Sequence, residues 1–435
     1  MPTWRARALW RAIDLGAVLV LLAFAIRMIG ELRGRETAAA NSDFTQYYLA
    51  ARLVLEGHSA YRGLIERAAA AGAALWIDGA PYPPLFQTLI LPLAALPHVQ
   101  AWWLWQVFSC LCLLVTMVLA WPSLGPRNLP PAAVLVVAAG AVLAAPFQYQ
   151  LLLGQVSAQL LLLLAVTWRL YRAGRWGAAG IILGLACAIK LFTAPLILYF
   201  LWQRNWRAVC GAGFGFVVFT LLGAFPLGLN EVIVYYRDVM PTLNQYYAGI
   251  ANFSLFGLVG KTLALNSVNE TLGLTAANRA LLQNAVPIVL SASALLWAVG
   301  HCSRTPSLGA RADIELTAVV PAVLLASPIA WPHYLLLMYL PIMVWLRAIF
   351  DDGERRGAVL RLALLAFTLM AAPNSTVGQT AAILAPIAGA SVLIGDLLTV
   401  AVCSLGTAGL AFGLWLGTRL LRRQQSERRP ALSLA

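Results

Sequence analysis

The sequence predicts an all-α, polytopic membrane protein, and three observations lead to that class. Hydrophobic residues make up 61% of the 435 and charged residues only 11%, with a mean hydropathy of +0.79. That leaves too little polar surface to cover a soluble chain of this size. Apolar runs of membrane-spanning length recur from end to end, and a helix is the structure that satisfies its backbone within each run. The basic residues gather in short segments between the runs, as the positive-inside rule describes. The net charge of +13 therefore does not point to nucleic acid, since the Lys and Arg form neither a stripe nor an RNA-binding motif.

Apolar length and flanking charge place about 12 spans. They run over 12–30, 99–121, 132–146, 155–171, 176–189, 191–203, 207–227, 280–300, 313–328, 334–350, 358–372 and 393–418. Several are short for a full crossing, so tilted and half-length helices are expected. The first run follows the basic segment Met1–Arg11 and lacks a small-residue cleavage site, so it reads as an uncleaved first span. Gly211, Gly213 and Gly215 lack the strand that a dinucleotide fingerprint needs and read as close helix packing. The six cysteines have neither metal-ligand nor disulfide spacing, and five lie in apolar segments as small packing residues.

Twenty of the 30 Lys and Arg fall on one side of this arrangement: Arg5 to Arg11, Arg127, Arg169 to Arg175, Arg204 and Arg207, Arg304 and Arg311, Arg347 to Arg361, and Arg419 to Arg429. That side is the cytoplasm, which holds both termini and the basic tail 419–435. The other face receives a first outer loop, 31–98, and a second, 228–279, with short turns near 147–154, 190, 328–333 and 373–392. Within the first loop, 46–56 carries apolar groups at helical spacing and reads as an amphipathic helix on the membrane surface. Tyr82-Pro83-Pro84 starts a second apolar stretch, read as a short helix dipping into the outer leaflet. A crossing by 85–97 would invert every later loop and spoil the charge bias.

This topology collects polar groups on the outer face: Asp43, Gln46, Tyr47, Tyr48, Tyr82, Gln148, Gln150, Gln155, Gln159, Lys190, Arg237, Lys261 and His333. Ionisable groups beside hydrocarbon are costly and call for a partner or a substrate. Asp43, after Asn41-Ser42, suits a helix N-cap and equally a catalytic base. Lys190 occupies a tight turn between two spans, where it either snorkels to the interface or contacts a phosphate. His333 lies between Pro332 and Tyr334 in a proline-kinked turn and suits a phosphate or a substrate hydroxyl. Gln155 and Gln159 have the chemistry to bond sugar hydroxyls or neighbouring helices. No carboxylate cluster suggests a divalent ion, so neither a metal nor a cofactor is expected. A lipid or solute transporter is the competing class, but no internal repeat is visible and the polar groups favour one face over the midplane.

Asp43 with Tyr47-Tyr48 and Ala50-Ala51, then Gly57, Tyr61, Tyr82-Pro83-Pro84 and Pro92-Leu93, resembles the N-terminal pattern of glycosyltransferase family 87. The Gly154-Gln155 turn, Lys190 and Trp331-Pro332-His333 continue the likeness over most of the chain, with Pro332 departing from it. The resemblance implies a GT-C-like fold in an inner or plasma membrane. It also implies transfer of mannose, or a similar hexose or pentose, from a polyprenyl-phosphate donor to a glycolipid or glycan acceptor outside the cytoplasm. Asp43 would be the catalytic carboxylate, and Lys190, His333, Arg237 and Lys261 the contacts to the donor phosphate. Gln46, Tyr47, Tyr48, Tyr82, Gln155, Gln159 and Trp331 would line the substrate site. A departing phosphate is a stable anion, so one carboxylate suffices for an inverting transfer, whereas glycoside hydrolysis usually needs two.

Overall fold

The computed structural model describes residues 4–37, 42–73, 80–124, 140–350 and 392–432. The expected span 358–372, most of 132–146, Arg127 and the turn 373–391 lie outside the described residues. The first half contains α1 (Trp4–Arg33), α2 (Asp43–Leu55), α3 (Leu64–Ala70), α4 (Pro84–Ala94), α5 (His98–Leu124), α6 (Ala145–Leu153), α7 (Ser157–Arg172), α8 (Trp176–Ile189), α9 (Ile197–Trp202) and α10 (Trp206–Leu227). The second half contains α11 (Leu229–Val234), α12 (Leu255–Leu263), α13 (Asn266–Thr271), α14 (Ala276–Gly300), α15 (Gly309–Ala326), α16 (Tyr339–Phe350), α17 (Val392–Cys403) and α18 (Leu405–Leu432). No strand occurs among the described residues.

Among the described residues, three helices are long and apolar enough to cross a membrane alone: His98–Ala120 within α5, α10 and α14. The pair α17–α18, bent by 54°, makes a fourth. Helix length thus supports three or four crossings among the described residues, not 12. Of the other expected spans, 358–372 and most of 132–146 lie outside the described residues, and 176–189 is a helix too short to cross alone. The segment expected at 191–203 is a 3-10 helix (Leu191–Leu196) followed by α9, and that at 334–350 is a 3-10 helix (Pro332–Met338) followed by α16. Pro195, inside the first of these 3-10 helices, lacks the N–H that a continuous α-helix would use. The spanning helices carry apolar side chains outward as well as inward, with Phe214, Val217 and Leu221 of α10 exposed, as lipid-facing helices do.

α8 and α10 approach until their backbones touch. A Cβ on Gly180 would stand 2.1 Å from the Ala208 carbonyl oxygen, and one on Gly184 would stand 2.4 Å from that of Ala212. Gly211 and Gly215, one turn apart, face Gly177 and Ile181 across the same seam at 2.4 and 2.6 Å. This is the small-residue packing available where apolar burial gives helices little drive to associate. Gly213 points away, with nothing within 4 Å. Further along α10, Gly223 admits the start of α4, whose Leu85 nitrogen would lie 2.4 Å from an added Cβ.

The short helix expected after Tyr82-Pro83-Pro84 is α4, and the surface placement expected for 46–56 changes. α4 has 11 residues and rises ~16 Å, about half of a hydrocarbon core, and it packs on α2 and α10. α2 does not lie on a surface: nine of its 13 residues are buried, including Phe44, Ala50 and Ala51 with no exposure. Its apolar period faces protein on several sides, and the two alanines let neighbouring elements close over it.

The seam gives a stability prediction. Gly184→Val should lower the unfolding midpoint of the detergent-solubilised protein by the equivalent of about 1–3 kcal/mol, because backbone lies at 2.4 and 2.5 Å and cannot swing aside. Gly213→Val should leave that midpoint within error.

Candidate active site

Ser42, not Asp43, caps α2. Its Oγ accepts from the Thr45 backbone N–H at 3.3 Å, which satisfies one of the orphan donors of the first turn. Asp43 is the first helical residue, and its carboxylate is released from the capping duty that its neighbours suggested. An acidic group there also gains from the positive end of the helix dipole.

The Gly154-Gln155 turn is fitted against this helix end. Gly154 has φ +66°, and a Cβ there would come within 2.5 Å of Phe44 Cβ. Trp105 Nε1 donates to the Gly154 carbonyl at 2.8 Å. Gln150 holds the following turn: its Oε1 accepts from the N–H groups of Ser157 (2.9 Å) and Ala158 (3.3 Å), and its Nε2 donates to the Gln155 carbonyl. A side-chain amide therefore does the capping of α7, since Val156 has no side chain that can.

Four polar side chains from four elements then join. Lys190 Nζ donates to Tyr82 OH at 2.7 Å, Tyr82 OH donates to Gln155 Oε1 at 2.7 Å, and Gln155 Nε2 donates to Asp43 Oδ2 at 2.6 Å. Tyr47 OH also donates to Tyr82 OH, at 3.1 Å. The Lys190 ammonium stands 4.5 Å from the Tyr82 ring centre and 4.1 Å from that of Tyr334. That aromatic cage stabilises a cation away from bulk water. Lys190 sits there because α8 ends at Ile189 and the chain turns through an extended residue (φ −156°) before the 3-10 helix. His333, 2% exposed, is placed by the second 3-10 helix, and neither ring nitrogen has a hydrogen-bond partner among the described residues. A buried imidazole with two idle nitrogens is costly unless a ligand supplies the partner.

All of these groups open on one cavity of about 1010 Å³. Of the residues singled out from sequence, Asp43, Gln46, Tyr47, Tyr82, Gln155, Lys190, Trp331 and His333 line it. The others point elsewhere. Tyr48 OH donates to the Leu96 carbonyl (2.7 Å), and Gln159 Nε2 donates to Ser109 Oγ (3.1 Å). Arg237 is exposed and pairs with its neighbour Asp238 at 2.7 Å. Lys261 donates to three backbone carbonyls, Ile250, Asn252 and Cys403, at 3.3, 3.0 and 3.1 Å. Three bonds use all three ammonium protons, so Lys261 ties α12 to the α17–α18 bend and has none left for a phosphate.

Sequence reasoning did not single out Phe192, Tyr235, Tyr246 and Tyr334, which complete the aromatic wall. The pairs Tyr235-Tyr236 and Tyr246-Tyr247 in an outer loop were the available signal. Opposite Tyr246, the Trp331 ring packs so closely on Gly249 that a Cβ there would lie 2.8 Å from it.

Burial pushes the Asp43 carboxyl above its ordinary range, partly offset by the Gln155 hydrogen bond and then by the charges of Lys190 and Arg35. A raised carboxyl is a stronger base when ionised. The cavity also has a fixed position in the bundle. It lies at the Ser157 end of α7, the Ile189 end of α8 and the Ala326 end of α15, opposite Arg172, Arg175 and Arg311.

The Asp43 carboxyl, the Lys190 ammonium, the His333 imidazole and several phenols thus share one cavity at one end of a helix bundle able to cross a membrane. The profile of Glycosyltransferase family 87 matches residues 81–328, more than half of the chain. The chain belongs to that family and is a glycosyltransferase. The match includes Tyr82, Gln155 and Lys190, while Asp43 and His333 lie beyond it. The chain is 27% identical over 395 residues, 85% of each chain, to a polyprenol-phosphate-mannose-dependent α-(1-2)-phosphatidylinositol mannoside mannosyltransferase of Mycobacterium tuberculosis. It is 28% identical over 301 residues to a polyprenol-phosphate-mannose-dependent α-(1-2)-phosphatidylinositol pentamannoside mannosyltransferase of the same species, covering 67% of this chain and 64% of the relative. No solved structure matches it.

The electrostatics of Asp43 predict a pH effect. If the ionised carboxylate is the active form, activity falls as pH drops through its pKa. Lys190→Met removes a charge that holds this pKa down, so the acid limb of the pH–rate profile should move to higher pH. A limb that stays in place or moves to lower pH would contradict the coupling.

Proposed function

We propose that this glycosyltransferase transfers mannose from a polyprenyl-phosphate donor to a hydroxyl of a mannose-bearing glycolipid, with inversion and with Asp43 as general base. The observation that carries the reading is that Asp43, Lys190 and His333 line one and the same cavity. The relatives' names support the donor, and phosphatidylinositol mannosides are the acceptors those names give.

In this reaction the acceptor oxygen attacks the anomeric carbon and its proton passes to Asp43. The bond from that carbon to the phosphate oxygen breaks, and its electron pair leaves with the polyprenyl phosphate. The new negative charge forms where Lys190, with one hydrogen bond to Tyr82, and His333, with none, have donors to offer. Preset donors in a site shielded from water lower a barrier most where charge develops. Phosphate is a good leaving group, which is why one carboxylate suffices. The half-buried Trp331, backed by Gly249, offers a flat ring face of the kind that packs against a pyranose. Transfer on the non-cytoplasmic side is supported by the cavity's position at the helix ends remote from the arginine-rich connections.

The test uses the purified protein with radiolabelled polyprenyl-phosphate mannose and phosphatidylinositol mannosides. Asp43→Asn should reduce transfer by about 10²–10⁴-fold with donor binding retained. Transfer at the wild-type rate would remove Asp43 as the base. His333→Ala should raise the donor KM, and Trp331→Ala should raise the acceptor KM with a smaller effect on the donor. The reverse pattern would exchange the two subsites.

A further inference from the structure

Tyr82 OH lies within hydrogen-bond distance of three groups: Lys190 Nζ, Tyr47 OH and Gln155 Oε1. A lysine ammonium only donates, and a phenol has one proton. Tyr82 therefore accepts from Lys190 and Tyr47 and spends its proton on Gln155. This sets the orientation of the Gln155 amide, whose oxygen meets Tyr82 and whose NH2 meets Asp43. Turned the other way, the amide would set its oxygen against a carboxylate. The Gln155 backbone is equally constrained, by the left-handed Gly154, by Trp105 on the Gly154 carbonyl and by Gln150 on its own carbonyl. Both ends of this side chain are thus occupied within the protein before any sugar arrives. Asp43 Oδ2 receives the amide, and Oδ1 has no hydrogen-bond partner among the described residues.

We propose that Gln155 is a positioning residue: locked by Tyr82, it holds Asp43 Oδ2 so that Oδ1 alone is presented to the acceptor hydroxyl. Building on the assignment of Asp43 as base, this gives Gln155 a role through the carboxylate, not through the sugar. The bridge also links the base to the ammonium facing the donor phosphate, so the two halves of the reaction share one hydrogen-bonded frame. The charged and titratable groups around Asp43 are Lys190, Arg35, Tyr47, Tyr82, Tyr246 and Tyr334. Gln155 touches the carboxylate and does not itself titrate. Misplacing a catalytic group by about 1 Å costs on the order of a hundredfold in rate, which is the scale of effect its loss should have.

The experiment compares Gln155→Leu, Gln155→Asn and Tyr82→Phe with wild type and Asp43→Asn, using polyprenyl-phosphate mannose and phosphatidylinositol mannosides. Gln155→Leu should lower kcat about a hundredfold, leave the donor KM within about twofold, and move the acid limb of kcat to higher pH. Gln155→Asn keeps an amide one methylene shorter and should recover part of the rate and part of the limb shift. Tyr82→Phe keeps the ring beneath Lys190 but frees the amide to rotate, and should shift the limb in the same direction. A purely structural role would instead lower the unfolding midpoint and active fraction without moving the limb. A contact to the sugar would appear in KM. Either result would overturn the proposal, as would a Gln155→Leu enzyme with wild-type kcat and limb while Asp43→Asn is inactive. Wild-type transfer by Asp43→Asn would instead fail the base assignment beneath it. If Gln155→Leu does not fold, Gln155→Asn and Tyr82→Phe carry the same limb test.

Discussion

The hydroxyl of Tyr82 is where the cavity's polar groups meet, with its single proton committed to Gln155 and its lone pairs to Lys190 and Tyr47. From that one allocation follow the direction of the Gln155 amide, the oxygen of Asp43 that is capped and the one that is left open. The chain crosses the cavity wall from an ammonium to a carboxylate without a direct ion pair. Each charge has one side-chain hydrogen bond from this chain, and the ammonium has ring faces beside it. A direct salt bridge would leave both groups bound to each other.

The opposite end of the same helices shows what a finished polar cluster looks like. Glu315 is fully buried, and its two oxygens accept from Arg311, Gln203, Ser307, Tyr199 and the Ser303 N–H. Asp313 likewise takes both a bidentate Arg172 and the Trp168 indole. Such networks rigidify because every member is satisfied. At the cavity end, among the described residues, the His333 ring nitrogens have no hydrogen-bond partner and the Lys190 ammonium has one. The two ends of the bundle thus differ in how fully their buried charges are paired. The glycine seam between α8 and α10, with Gly223 against α4, carries Lys190 and Tyr82 to their meeting point on rigid elements.

Much of the fold was legible because apolar length and arginine placement are properties of the chain itself. The segments 176–189 and 207–227 are helices at nearly those bounds. Gly211 and Gly215 pack as expected, yet Gly213 between them faces the other way, since only every fourth position shares the seam. The first outer loop was misread for a related reason. Helical apolar spacing in 46–56 reveals a buried face, but whether lipid or protein covers it depends on α4 and α5. Lys190 and Lys261 show the same limit in the site. Both are lone lysines in apolar surroundings. Three carbonyls from distant segments satisfy one, while a phenol and two aromatic faces hold the other.

The sequence by itself determined a helical membrane protein of a glycosyltransferase family and the short set of residues able to hold a proton or a phosphate. Composition, apolar period and charge bias act locally along the chain and survive without a structure. Only the tertiary structure decided that Ser42 takes the helix cap and releases Asp43, and that Gln155 meets a carboxylate before any sugar. It likewise removed Arg237 and Lys261 from the cavity wall. Those outcomes turn on hydrogen bonds at 2.6–3.3 Å between residues up to 142 positions apart, and no pattern in the linear sequence encodes which donor reaches which acceptor.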